Sequence, residues 1–326
     1  MSFASCCGEP SLVPPTFEPA LHADGLPSMV SRASTTPDRP TKLAEVMSAT
    51  IHNPFDDDLA LQHSQYYGTK GGRAVLLSKP GASPDLFASA AVGAFRGFVL
   101  NPEFSCVGAK SAVMHETYRL GVYDHLGGLG STAGLSRDLY TFAREAEHAA
   151  EGEFMTFVAM FREPMAVDEE EFERLLWVQL RLLNRLDAPI HEWDPSVSAD
   201  PESPHFGFSF AGMAFFIVGL HPHSSREARR FIWPTLVFNP HAQFQHLKEE
   251  GRWARLQEVI RTREENLQGS LNPNLADHGT ATEARQYSGR AVEPDWHPPF
   301  APNGSHTSPV VRASGCPFHH GSKGAN

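Results

Sequence analysis

The sequence predicts an α+β fold: a mostly antiparallel central sheet with helices packed on it, set between disordered N- and C-terminal arms. Three observations lead there. Strand-like and helix-like stretches interleave without regular strand–helix–strand alternation, and some strands follow one another closely. Met213 to Leu220 is almost wholly apolar, as a strand buried on both faces must be. Both chain ends lack the apolar periodicity from which a core is built.

The elements follow in chain order. Residues 1–41 are rich in Pro, Ser, Thr and Ala, with scattered single hydrophobics. Such a segment buries too little apolar surface to offset its ordering entropy and is expected to be a disordered arm. One domain is expected over residues 42–297, and a disordered tail of Pro, Gly, Ser and His over residues 298–326. Ala74 to Leu77 suits a short strand. Ser83-Pro84-Asp85 reads as a helix start, with Ser as cap and Pro in the first turn. Leu86, Phe87, Ala90, Ala91, Ala94 and Phe95 then give one apolar helical face. After the break at Asn101-Pro102, Ser105 is expected to cap a helix running through Val113 to about Leu120. A Gly-rich loop at Gly127 to Gly130 leads into a helix carrying Leu135, Leu139 and Phe142. Phe154 to Phe161 reads as a buried strand. Asp168 with Glu171 resembles a capping box and opens a strongly periodic helix over Phe172, Leu175, Leu176, Leu183 and Leu186. Phe206 to Phe210 and Phe231 to Phe238 are further strands. Asn239-Pro240 starts a last helix, bent near Gly251.

Composition excludes several classes. The chain of 326 residues has a net charge of −11, with the acidic surplus spread along it, which argues against a nucleic-acid surface. No apolar run reaches the ~20 residues of a membrane span, and MSFASCCGEP has no signal-peptide pattern. Of four cysteines, Cys6, Cys7 and Cys316 fall in the expected arms, so no disulfide framework is implied and a cytoplasmic location is expected. Gly127 to Gly130 lacks the Lys-Ser/Thr of a phosphate loop, and His115-Glu116 is followed by Arg119 where a metalloprotease helix needs His. His221-Pro222-His223 has spacing that can share a metal, but reads more simply as a polar loop leaving a buried strand.

Cys106 is the one thiol expected in the core. In the first turn of a helix, unpaired amides and the helix dipole favour the thiolate, the form that binds iron in haem–thiolate chemistry. Val107, Gly108, Ala109 and Ala112 are small enough for a flat macrocycle to approach the backbone. A lone cysteine in a packed domain is nevertheless more often a small hydrophobe.

Three strings shift that balance: NPEFSCVGAKSA from Asn101, FIVGLHPHSSREARRFIWPTLVFNPHAQFQHL from Phe216, and GSLNPNLADHGTATEARQYSGRAVEPDW from Gly269. Together they resemble the YqcI/YcgG family from about Ala74 to Trp296. That family includes haem-dependent N-hydroxylases acting on arginine or related guanidino amino acids. The resemblance implies a haem b cofactor whose iron is bound by Cys106. The family's Phe-Pro-Cys falls on Phe104-Ser105-Cys106, with Ser in place of Pro. Its final Trp-x-Cys-Pro-Phe appears as Trp296 to Phe300 without the Cys, while Cys316-Pro317-Phe318 occurs further on.

The expected activity is N-hydroxylation of a guanidine or amine nitrogen on a small amino acid, arginine foremost, with O2 or peroxide as oxidant. No flavin or nicotinamide fingerprint is present, so O2 would require an external reductase. The alternative is a haem-binding sensor or scavenger without turnover. Ser225, Arg226 and Arg230, following the most buried strand, are expected to bind haem propionates. Arg226 and Arg230 are favoured on the assumption of helical spacing. His221 is expected to bond a propionate or deliver protons; the alternative makes His221 the axial ligand and Cys106 a core residue. Asn239, His241 and Gln243 near a helix start, and Glu283, Arg285, Gln286, Tyr287 and Arg290, form two further polar clusters. A guanidinium substrate needs a carboxylate partner, for which Glu116 and Glu283 are the candidates.

Overall fold

The near-continuous apolar character of the inner strands builds a seven-stranded sheet covered on both faces at its centre. A computed structural model of the chain describes residues 52–150, 152–249, 251, 253–274 and 280–303, which belong to one unit starting at His52. The expected arm at residues 1–41 and most of the expected tail lie outside these residues, as do Cys6, Cys7 and Cys316.

The strands are β1 (Tyr66–Lys70), β2 (Arg73–Leu76), β3 (Tyr118–His125), β4 (Thr156–Glu163), β5 (Phe208–Phe210), β6 (Met213–Leu220) and β7 (Thr235–Pro240). Their order in the sheet is β2-β1-β3-β4-β7-β6-β5. Only β3 and β4 run parallel; the other pairs are antiparallel, so the α+β expectation holds. The helices are α1 (Asp58–His63), α2 (Leu86–Leu100), α3 (Val107–Met114), α4 (Leu129–Ala146), α5 (Glu169–Asp187), α6 (His241–Glu249) and α7 (Trp253–Gln268). The parallel pair needs a crossover, and α4 supplies it.

Strand alternation sorts the core into two layers. Phe157, Ala159 and Phe161 of β4, Phe215 and Ile217 of β6, and Leu236 and Phe238 of β7 meet Leu139 and Phe142 of α4 and Phe172, Leu176 and Leu180 of α5. On the other face, Val158, Met160, Leu220 and Val237 meet Val92, Phe95 and Val99 of α2 and Ala112 and Val113 of α3. Each large apolar side chain so buried contributes about 1.5–3 kcal/mol. Sequence runs without polar interruption are the direct result of two covered faces.

Several boundaries differ from the expectation. Asp85, not Ser83, caps α2 and accepts from the Ala88 amide at 2.5 Å, so Leu86 points outward and is 91% exposed. Asp168 does cap α5, accepting from the Glu171 amide at 2.8 Å. The helix expected to reach Leu120 stops at Met114, because Glu116 adopts a left-handed conformation with φ 59°. The chain then reverses into β3, a central strand the sequence reading missed. Glu116 accepts from the amides of Gly71 at 3.0 Å and Gly72 at 2.5 Å, fastening the β1–β2 turn. Packed structure also runs past the boundary expected at Pro298: Phe300 is buried against the rings of Trp177, Trp193, Phe206 and Phe208.

The approach of α1 to α4 is close enough to dictate a residue type. A Cβ on Gly134 would sit 2.4 Å from the backbone oxygen of His63. One turn further along α4, buried Asp138 accepts from Ser64 Oγ at 2.5 Å, the Gln65 amide at 2.9 Å and Tyr123 Oη at 2.8 Å, locking the same contact. In an exposed helix Gly→Ala is stabilising by about 1 kcal/mol. Here Gly134→Ala is expected to destabilise by about 1–3 kcal/mol through overpacking, read as a lower urea midpoint at unchanged slope.

Candidate functional site

The residues of β6 and β7 that face α2 and α3 do not fill the space beneath them completely. Phe216, Val218, Leu220, Val237 and Asn239 form the floor of a cavity of about 320 Å³. One wall is apolar and comes from α2 and its neighbours, with Phe95, Phe98, Val99, Phe104 and Phe154. Polar residues also contribute. Arg229, His241, Glu283 and Gln286 line the cavity, together with Gln257, Arg261 and Glu264 of α7.

Cys106 lies on this cavity. It is the N-cap of α3 itself, where Ser105 was expected; its Sγ accepts from the Ala109 amide at 3.4 Å. Burial pushes the Cys106 thiol up, against the opposing pull of the Ala109 and Gly108 amides and the Arg229 cation. The helix terminus is therefore the weaker influence on the free thiol, contrary to the expectation that it would set the thiolate. A bound metal ion would reverse this balance, since a coordinating thiol is deprotonated outright.

Within the Arg226 to Arg230 stretch, Arg229 is the arginine that lines the cavity. Its Nη1 donates to the carbonyls of Gly219 and Tyr287, both at 3.2 Å, and its Nη2 to that of Gln286 at 3.0 Å. Burial pushes it down to about 10, which leaves it cationic at neutral pH. Neither Arg226 nor Arg230 lines the cavity, because residues 227–229 form a single 3-10 turn with extended backbone on both sides. Helical spacing therefore does not apply there. Arg226 instead binds the Ser270 carbonyl at 2.7 Å and lies 3.6 Å from Glu264, holding α7 over the cavity. Arg230 pairs with Glu227 at 2.8 Å on the surface. Ser225 donates from its amide and hydroxyl to Glu169 at the start of α5.

His221 sits on the wrong side of the sheet for the role expected of it. Strand parity sends Phe216, Val218 and Leu220 toward the cavity and Ile217 and Gly219 toward α5. His221 continues the second set and stacks on Phe172, with ring centroids 4.4 Å apart. Neither ring nitrogen has a partner among the described residues. His223 bonds the Val167 carbonyl at 2.9 Å, so the His-Pro-His spacing does not converge. No group of three or more His, Cys, Asp or Glu among the described residues could hold a metal ion. Glu116 is also excluded, being spent on the β1–β2 turn.

The two polar clusters divide. Asn239 and His241 line the cavity, whereas Gln243 faces away and accepts from the Met155 amide at 3.1 Å. Glu283 and Gln286 line it, with Tyr287 behind them donating to Glu283 Oε1 at 2.6 Å. Arg285 bonds the Trp296 carbonyl at 3.1 Å, and Arg290 pairs with Glu173 at 2.5 Å. The sequence reading missed Gln257, Arg261 and Glu264. They lie on α7, which tertiary packing places against the cavity.

The fold and cavity define an α+β protein with a thiol-bearing, largely apolar pocket beside its sheet. The YqcI/YcgG family model matches residues 95–301, which include the whole cavity lining, and the chain belongs to that family. It is 32% identical over 136 residues to "Uncharacterized protein YcgG" of Bacillus subtilis (strain 168), a match covering 39% of this chain and 53% of that one. The chain thus spans about half the length of that curated relative. No solved structure matches. No helix among the described residues is long and apolar enough to cross a membrane.

The unpartnered, buried His221 has a pH consequence. Burial pushes it down to about 4 from an ordinary 6.5, so folding favours its neutral form. That contribution is intact above about pH 6.5 and is lost as pH falls through about 4, reaching roughly 3 kcal/mol. His221→Phe keeps the ring stack and removes the titration. Urea midpoints measured from pH 7 to pH 4 should therefore fall more steeply for the wild type than for the variant.

Proposed function

We propose that the chain is a haem–thiolate enzyme that N-hydroxylates a guanidine or amine nitrogen of a small amino acid, arginine foremost. The observation that carries the reading is the position of Cys106. A thiol at the mouth of a helix opens onto a cavity lined by both aromatic and charged side chains. The resemblance of the Asn101 to Ala112, Phe216 to Leu247 and Gly269 to Trp296 strings to the YqcI/YcgG family, which includes haem-dependent N-hydroxylases, supports it. The cavity lies within the ~300–1,000 Å³ range of small-molecule and cofactor sites.

The residues present fit the group. Cys106 would hold the iron, the Phe154 ring packs beside Gly108, and the phenylalanines of the lining suit a flat apolar ring. Arg229 and Arg261 are the cations of the cavity and the partners suited to propionates, the role expected of Arg226 and Arg230. When bound, a thiolate-ligated haem supplies O–O bond cleavage. The protein's own contribution is to exclude water with α2 and α7 and to hold the substrate nitrogen by the polar residues of the lining. With peroxide, the nitrogen gains one oxygen and water leaves. With O2, two electrons and two protons from an external reductase complete the same balance.

Expression with a haem precursor tests this directly. The wild type is expected to take up haem and give the Soret band of a thiolate-ligated ferrous–CO complex, and Cys106→Ala to lose that band. Incubation with arginine and peroxide should then yield a product heavier by one oxygen in mass spectra. A colourless protein, or a thiolate-type band surviving Cys106→Ala, would overturn the assignment. Haem uptake with no product from any cationic amino acid would leave a binder in place of an enzyme.

A further inference from the structure

Two carboxylates line the cavity among the described residues, Glu264 and Glu283, and their surroundings differ. Glu264 is answered within the protein: Arg226 lies 3.6 Å away, and its charge also acts on Arg229. Glu283 has no lysine or arginine in ion-pair range among the described residues. Its Oε1 takes both of its bonds, from Tyr287 Oη at 2.6 Å and His241 Nε2 at 3.1 Å. Oε2 takes none among the described residues. The two donors come from different elements, the start of α6 and the end of the 3-10 turn Glu283–Gln286, so the carboxylate is held from two sides.

We infer that Glu283 is the specificity-determining residue of the cavity: its Oε2 receives the cationic end of the substrate, a guanidinium or ammonium group, and rejects uncharged isosteres. The inference rests on the reading of this cavity as the amino-acid site. A carboxylate oriented by fixed donors on one oxygen presents the other without having to reorganise. In a partly apolar enclosure, a charge-assisted hydrogen bond to it is stronger than a neutral one. A neutral ligand of the same shape leaves the charge unmatched, so discrimination arises as much from this loss as from the bond gained. Tyr287 and His241 are positioning residues, since they act on the substrate only through Glu283. Tyr287 is suited to the task because burial and the Glu283 charge both push it well above its ordinary range, which keeps it a proton donor.

Calorimetric titration of the full chain with arginine and with citrulline, its uncharged ureido analogue, reads the inference by binding alone. The wild type should bind arginine at least about tenfold more tightly than citrulline. Glu283→Gln keeps an acceptor for Tyr287 and should abolish the preference, mainly by weakening arginine. Glu283→Asp should restore part of it, and Glu171→Gln, at an exposed carboxylate of α5 outside the cavity, should leave it intact. Equal or absent binding of the two ligands by the wild type, or an unchanged preference in Glu283→Gln, would each overturn the inference. If Glu283→Gln fails to fold by far-ultraviolet circular dichroism, Tyr287→Phe carries the test: the preference should fall severalfold, and an unchanged ratio counts against the assignment. The two readings separate cleanly. A colourless protein that still prefers arginine sinks the haem and keeps Glu283, whereas a haem-loaded one without preference does the reverse.

Discussion

The site depends on a half-buried cation that has to be satisfied. A guanidinium removed from water is tolerated only where its donors find acceptors. Arg229 finds them in three backbone carbonyls from two separate segments, Gly219 on β6 and Gln286 and Tyr287 beyond α7. The same seam carries a main-chain bond from the Gly219 amide to the Tyr287 carbonyl at 2.7 Å. A side chain at Gly219 would forbid it, because a Cβ there would meet Phe172 at 2.7 Å and the Tyr287 oxygen at 2.8 Å. The seam fixes the segment bearing Glu283 against the sheet and leaves a cavity between it and Cys106.

Much of this fold was legible because burial on two faces leaves long apolar strings. Met213 to Leu220 and Phe154 to Phe161 could hardly be anything but inner strands, and Asp168 announced the start of α5. Strand β3 was not legible. Its Tyr118-Arg119-Leu120-Gly121 opening mixes charge and glycine, and the preceding helix ends on a left-handed glutamate that local propensity does not foretell. The site divides along the same line. Cys106 stood out as the one thiol outside the chain ends. Strand parity places His221 on the face of Ile217, away from the cavity that Val218 lines. Arg226 and Arg230 do not share a helical face, because one 3-10 turn stands where helical spacing is expected, and Arg229 lines the cavity in their place. Glu264 belongs to a part of the site that tertiary packing alone assembles.

The cavity joins two kinds of lining. Burial holds the Cys106 thiol above its ordinary range, while Glu283, Glu264 and Arg229 bring charge into the same enclosure as the phenylalanines of α2 and its neighbours. Desolvation that raises the Cys106 thiol also strengthens whatever ion or hydrogen bond Glu283 makes. Membership in the YqcI/YcgG family ties this arrangement to a group of chains, since the matched residues include the whole lining.

The central claim is that the cavity beside β6 holds a haem by the Cys106 sulfur. A crystal structure of the haem-loaded chain tests it most directly. The account predicts iron bonded to Cys106 Sγ, with the macrocycle against the phenylalanines of the lining and Glu283 in the same cavity. Iron bonded to any other side chain, or haem seated on the opposite face of the sheet beside His221, would contradict it.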